Sequence, residues 1–214
     1  MTAPVSSAPL PYTTLLGFTR YVDRTGPAKV TFVGGLRKQR ASRSGFNPHG
    51  QLVKALKADI AFHTDGRHLT EIAETVNPRW RALYRAVVPG ATAYLRSLGD
   101  PASVQLVRTR DVLGLVGELP VKINPHFGLR YADGRAETVR LHFDDQPPSD
   151  EAVLATLHLM ARHMDQMLPG AEPVLVDVRR GVAHRRDPGG KADQVERWLT
   201  GEAAAFTALW STAS

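Results

Sequence analysis

Along residues 49–63, HGQLVKALKADIAFH, apolar residues return every three or four positions. Val53, Leu56, Ile60 and His63 fall on one stripe and Lys54 and Lys57 off it, which predicts an amphipathic helix. Residues 68–76 predict a second, short helix that stops before Asn77-Pro78. Residues 79–88 predict a third, with Trp80, Leu83, Tyr84 and Val87 on its apolar face and Arg79, Arg81 and Arg85 elsewhere. Pro89-Gly90 is expected to break it, with TAYLRSL resuming for a turn or two.

From residue 103 the period shortens to two. SVQLV, DVLGLVG, LPVKINPHF, LRYA and ETVRLHF read as short strands separated by turn residues. YADGRAE is a hairpin signal, because Asp-Gly supplies the positive φ of a tight turn. PPSDE then opens a helix, with Ser149 as N-cap and Asp150 and Glu151 at the positive end of the dipole. Val153, Leu157, Met160, Met164 and Leu168 are its expected buried stripe, and Pro169-Gly170 stops it. PVLVDVRRG is apolar enough for a central strand, HRRDPGG reads as a loop, and residues 191–210 predict a last helix with Val195, Trp198, Leu199, Phe206 and Leu209 on one face. Upstream, AKVTFV (28–33) is rich in β-formers and precedes Gly34-Gly35, so it is expected to be a strand. LRKQRASRSGFNPHG is expected to be the loop that follows.

This order predicts an α/β (α+β) fold with a mixed central sheet flanked by helices. Residues 1–14, rich in Pro and Ser, are expected to form a disordered tail. Residues 15–214 are expected to form one domain, helical over about 49–98 and sheet-rich over about 103–210.

Composition narrows the chemistry. The 214 residues contain no cysteine, which excludes disulfides, thiolate metal sites and cysteine nucleophiles and suits a cytoplasmic protein. No apolar run is long enough for a membrane helix, and the first residues lack the pattern of a secretory signal. Formal net charge is +6, unevenly spread. Residues 1–100 hold 14 Lys/Arg against 6 Asp/Glu (+8), and residues 101–214 hold 13 against 15 (−2). That asymmetry favours a nucleic-acid partner, DNA ahead of RNA. Arg37, Lys38, Arg40 and Arg43, with Lys54 and Lys57, are the expected phosphate contacts, and Phe46 and Tyr84 could stack on unpaired bases. The plainer alternative is a solvated, arginine-rich surface.

Alternation in ETVRLHF puts Thr138, Arg140 and His142 on one strand face and Val139, Leu141 and Phe143 on the other. In the preceding run Lys122, Asn124 and His126 share a face. If the two runs pair, His126, Arg140 and His142 point at one surface; on the plainer reading they are neighbours on a solvated sheet. Strand, Pro-His, turn, strand bearing Arg-Leu-His, then helix and strand: over about residues 120–180 this resembles the PD-(D/E)XK nuclease-like superfamily. Pro125-His126 stands where that family has Pro-Asp, and Arg140-Leu141-His142 where it has Glu-x-Lys. The resemblance implies a restriction-endonuclease-like core. The departures imply that its Mg²⁺ chemistry is lost, since Mg²⁺ takes hard oxygen ligands that His and Arg do not supply. A basic pair in those places favours phosphate instead. The expectation is a nucleic-acid-binding protein on an inactivated nuclease-like fold, without cofactor or metal.

Two rival readings remain. One is an active metal-dependent nuclease with displaced carboxylates, drawn from Asp111, Glu118, Asp177, Glu71 or Glu74. The other is a protein–protein adaptor that docks through the helix from Trp198 to Trp210. The pairs His63/His68 and His158/His163 lack the i, i+4 spacing of a two-histidine metal site. Glu202 falls within the apolar stripe of the last helix, where a salt bridge is the expected reason. Asp177 and Arg179 share a strand face and are read as a structural ion pair.

Overall fold

The computed structural model describes residues 11–42, 47–187, 189 and 191–212. The chain opens with β1 (Thr13–Thr14) and α1 (Leu15–Val22), followed by α2 (Pro27–Ala41), α3 (Gly50–Phe62), α4 (Arg67–Thr75) and α5 (Pro78–Ser97). Five strands come next: β2 (Val104–Val107), β3 (Val112–Val116), β4 (Leu119–Ile123), β5 (Phe127–Tyr131) and β6 (Ala136–His142). The chain closes with α6 (Asp150–Arg162), α7 (Met164–Met167), β7 (Glu172–Asp177), β8 (Val182–Arg185) and α8 (Ala192–Thr212).

The fold is mixed α/β, with two sheets flanked by helices. The larger has order β2-β5-β6-β7-β8, and the smaller β1-β4-β3. In the larger sheet β5 and β6 form the hairpin signalled by YADG, with Gly134 at φ +89° and the Tyr131 N–H donating to the Arg135 carbonyl at 2.9 Å. β6 and β7 run parallel, with His142 opposite Asp177, and α6 connects them. α6 starts as its sequence requires: Ser149 Oγ accepts from the Ala152 N–H at 3.1 Å.

The larger sheet has a core on each face. On one, Val139, Leu141, Val174, Val176 and Val178 pack against Leu52, Leu56, Leu69, Tyr84, Val87 and Tyr94 of α3–α5. The other core joins the smaller sheet to α1, α6 and α8 through Phe18, Tyr21, Val121, Ile123, Leu159, Met160 and Phe206.

Three local expectations are corrected. AKVTFV is helical, not a strand: Gly26-Pro27 sets up the first turn of α2, since proline at the first helical position forfeits only an unpaired N–H. The basic run 37–41 therefore lies on α2 rather than in a loop. Pro89-Gly90 does not break α5. Tyr84, Val87, Ala91 and Tyr94 continue one buried stripe across it, and this packing outweighs the lost hydrogen bond. Gly90 has its own reason, because a Cβ there would sit 2.2 Å from the Val178 carbonyl oxygen. Finally, His184 and Arg185 belong to β8, and only the remainder of HRRDPGG continues beyond the strand. At the other end of the chain Thr13 and Thr14, within the expected tail, pair in parallel with Val121 and Lys122.

Candidate functional site

Several charged side chains gather at the carboxyl ends of the parallel strands β6 and β7. Open α/β sheets offer ligands a crevice at such ends. Here α1 and α6 wall a cleft lined by Thr19, Arg20, Asp23, Arg140, His142, Asp144 and Thr156. Alternation in β6 turns Arg140 and His142 toward it, as expected.

Arg140 is 7% exposed, yet among the described residues no carboxylate forms an ion pair with it. Among the described residues its one hydrogen bond is to the Asn124 carbonyl, at 2.5 Å. A guanidinium carries five N–H donors, so most of its capacity is unused. Burial, reinforced by the charge of Arg20, pushes its pKa down to about 10, which leaves it cationic at neutral pH. Arg20 itself is held by both oxygens of Asp144. His142 Nε2 lies 3.0 Å from the Gln146 carbonyl, so that nitrogen carries a proton.

Around the strand ends Arg179, Arg180, Asp145 and Asp177 are paired. Arg180 binds Asp177 at 2.8 Å, and Arg179 binds Asp145 and donates to the Phe143 carbonyl at 3.0 Å. Asp177 and Arg179 are thus joined through the Arg179 backbone N–H (3.2 Å), while the ion pair of Asp177 is with Arg180.

His126 does not join Arg140 and His142 in the cleft. The expected pairing of 121–127 with β6 fails because β4 belongs to the smaller sheet and β5 is the partner of β6. Residues 124–126 cross between the sheets. There His126 Nδ1 accepts the Leu141 N–H at 3.0 Å, doing the work of a ladder carbonyl. Its ring lies edge-on to Phe143, which stacks on His49 with centroids 4.2 Å apart, on the α3–α5 side. Burial, then the charges of Arg140, Lys57 and His49, hold the His126 pKa well below the usual histidine value. The ring is neutral with its proton on Nε2.

The expected basic patch is divided. Arg37 donates to the Trp210 carbonyl at 3.1 Å; Arg40 donates to the Tyr12 carbonyl and lies over the rings of Tyr12 and Trp210. Both fasten α2 to its neighbours, while Lys38 is exposed. Lys54 is exposed and Lys57 half-buried on α3, in the layer across the larger sheet from α2. Arg43 and Phe46 lie outside the described residues. Tyr84 is buried, its hydroxyl donating to the Pro48 carbonyl at 2.9 Å, so it is no stacking platform.

The carboxylates of the rival nuclease reading are dispersed. Asp111 pairs with Lys122 at 2.7 Å and Asp177 with Arg180; Glu71, Glu74 and Glu118 are exposed on other elements. Among the described residues, no three His, Cys, Asp or Glu side chains gather as metal ligands. Each histidine pair is separated: His68 binds Asp59, His158 binds Glu196, and the His163 ring packs over Gly114. Glu202 does make its salt bridge, with Lys29 of α2 at 2.5 Å. Burial and the Glu202 charge push the nearby Tyr21 hydroxyl up to about 12.

The sequence offered no sign of one strong polar centre. Asp59, 1% exposed, accepts from the Thr64 hydroxyl (2.5 Å) and from the backbone N–H groups of His68 (2.9 Å) and Leu69 (3.0 Å). It caps α4 from outside the helix, nine residues upstream, which no local capping pattern reveals.

No helix among the described residues is long and apolar enough to cross a membrane. Comparison with models of known protein families and with curated proteins finds no match.

Proposed function

We propose that this is a cytoplasmic protein that binds nucleic acid through its phosphates, DNA first, on a degenerate PD-(D/E)XK-like core that does not cut. The observation that carries this reading is Arg140. It is a buried guanidinium at a crevice of the sheet, standing where the resemblance places a nuclease carboxylate, and among the described residues no acid forms an ion pair with it. Retaining an uncompensated buried charge lowers stability, so an anionic ligand is the natural complement. The order of hairpin β5–β6, crossover helix α6 and parallel strand β7 supports the same core. Arg20 and His142 flank the anion, and exposed Lys38, on the same side of the larger sheet, provides an outlying contact. The adaptor reading is weaker, because Phe206 is fully buried and Trp198 packs partly against the core.

The test is binding of a labelled duplex and a labelled single strand over a salt series, with and without Mg²⁺. The expected result is affinity that falls steeply with salt, is indifferent to Mg²⁺, leaves the strands intact, and is lost in Arg140→Met. Mg²⁺-dependent cleavage would refute the inactive core, and no binding at low salt would refute the nucleic-acid partner.

A further inference from the structure

β3 is the outer strand of the smaller sheet, and its sequence is a palindrome: Val112-Leu113-Gly114-Leu115-Val116. Val112, Gly114 and Val116 face the core. Leu113 and Leu115 face outward and are 66% and 55% exposed. Its inner side pairs with β4; among the described residues no strand pairs with its outer side. Native edge strands are ordinarily protected by charge, proline, a bulge or brevity. The other edges follow that rule: β1 has two residues, β8 carries His184 and Arg185, and β2 is followed by Arg108 and Arg110. β3 is the longest of these edges, five residues with no charge or proline among them, its nearest charges being Asp111 just before it and Glu118 beyond Gly117. The other large exposed apolar side chains, Val30, Phe62, Leu154 and Val182, are scattered over α2, α3, α6 and β8.

We infer that β3 pairs antiparallel with β3 of a second copy, about a twofold axis at Gly114. The palindrome chooses the occupant. Centred on Gly114, each residue meets its own kind: Val112 opposite Val116, Leu113 opposite Leu115, Gly114 opposite Gly114. An isologous dimer sets residue i opposite j and j opposite i, and the palindrome makes each such pair like with like, so that no polar side chain is set against the leucines. The four leucines form one apolar row on the joined sheet, continued by Pro120 of each β4, which lies opposite Leu115. The inference is independent of the phosphate cleft.

The experiment is the solution mass of the full chain by light scattering and sedimentation, for the wild type and two double variants. The wild type is expected at twice 23.4 kDa. Leu113→Lys with Leu115→Lys sets lysine against lysine across the axis and is expected to halve the mass. Leu113→Lys with Leu115→Glu makes the same number of surface changes but sets lysine against glutamate, and is expected to stay dimeric at low salt and dissociate at high salt. A monomeric wild type at the highest soluble concentration would overturn the inference. So would a Lys/Lys variant that stays dimeric, or two variants that dissociate alike. Both side chains are solvent-exposed, so folding is not at stake, and circular dichroism verifies it.

Discussion

Replacing Arg140 by methionine should make the protein more stable and abolish binding. In the fold Arg140 is cationic, but burial brings its pKa down from the ordinary arginine value to about 10. Its proton is therefore held less tightly than in the unfolded chain, and the charged residue opposes folding at every pH below about 10. At ~1.4 kcal/mol per pKa unit this penalty is about 3 kcal/mol. Methionine removes it and fills a similar volume. The loss is the hydrogen bond to the Asn124 carbonyl, worth about 1.5–3 kcal/mol because the donor is charged. The balance is a gain of up to about 1.5 kcal/mol, or up to about 6 °C in Tm for a chain of this size. Urea denaturation at pH 7 measures it, with the salt-series binding assay on the same preparation. A variant less stable than wild type by more than about 1 kcal/mol would show that Arg140 is a structural fastening. The argument that it is kept for a ligand would then fail.

Asp59→Ala should cost roughly 3–5 kcal/mol, because it strands the N–H groups of His68 and Leu69 at the start of α4; Asp59→Asn should cost less, and urea midpoints decide. Burial raises the Asp59 pKa but its hydrogen bonds outweigh that and bring it below the usual value, so its contribution is full above about pH 4 and fades as pH falls through the lowered value. His126 and His49 have depressed pKa values, so the unfolded chain takes up protons there before the folded one does. Stability should therefore be full above about pH 6.5 and begin to fall below it, well before Asp59 titrates; a urea midpoint that is flat from pH 7 to 5 would contradict this. Gly90→Ala should destabilise by more than about 2 kcal/mol, because its Cβ would overlap the Val178 and Arg179 carbonyls at the end of β7, neither of which can yield alone; a Tm within a degree of wild type would refute that close approach.

Where local rules and tertiary packing agreed, the sequence was enough. The Leu56 and Ile60 part of the α3 stripe, the Asp-Gly hairpin, the Ser149 cap and the alternation that aims Arg140 and His142 together were readable, whereas His63, expected on that stripe, is exposed past the end of α3. The failures have a common cause. The β-formers of AKVTFV were overruled by a proline at the start of a helix, and Pro89 by a buried stripe continuous through it. The pairing of 121–127 could not be read, because nothing local says that the chain changes sheets at Asn124. The basic run looked like one patch because exposure had to be guessed. Arg37 and Arg40 turned out to serve α8 and the segment before β1, contacts that span most of the chain.

The crossing at Asn124–His126 has a mechanical meaning. Two side chains fasten this joint to β6, beside the His126 backbone N–H on the Val139 carbonyl at 2.8 Å: the Arg140 guanidinium on the Asn124 carbonyl, and the His126 imidazole under the Leu141 amide. One is a charge that an anion in the cleft would draw away, and the other is a base that acid would disable. On the proposed reading, the joint between the sheets is thus a coupling whose side-chain fastenings respond to ligand and to pH. Hydrogen exchange at the single amide of Leu141 would serve as its gauge.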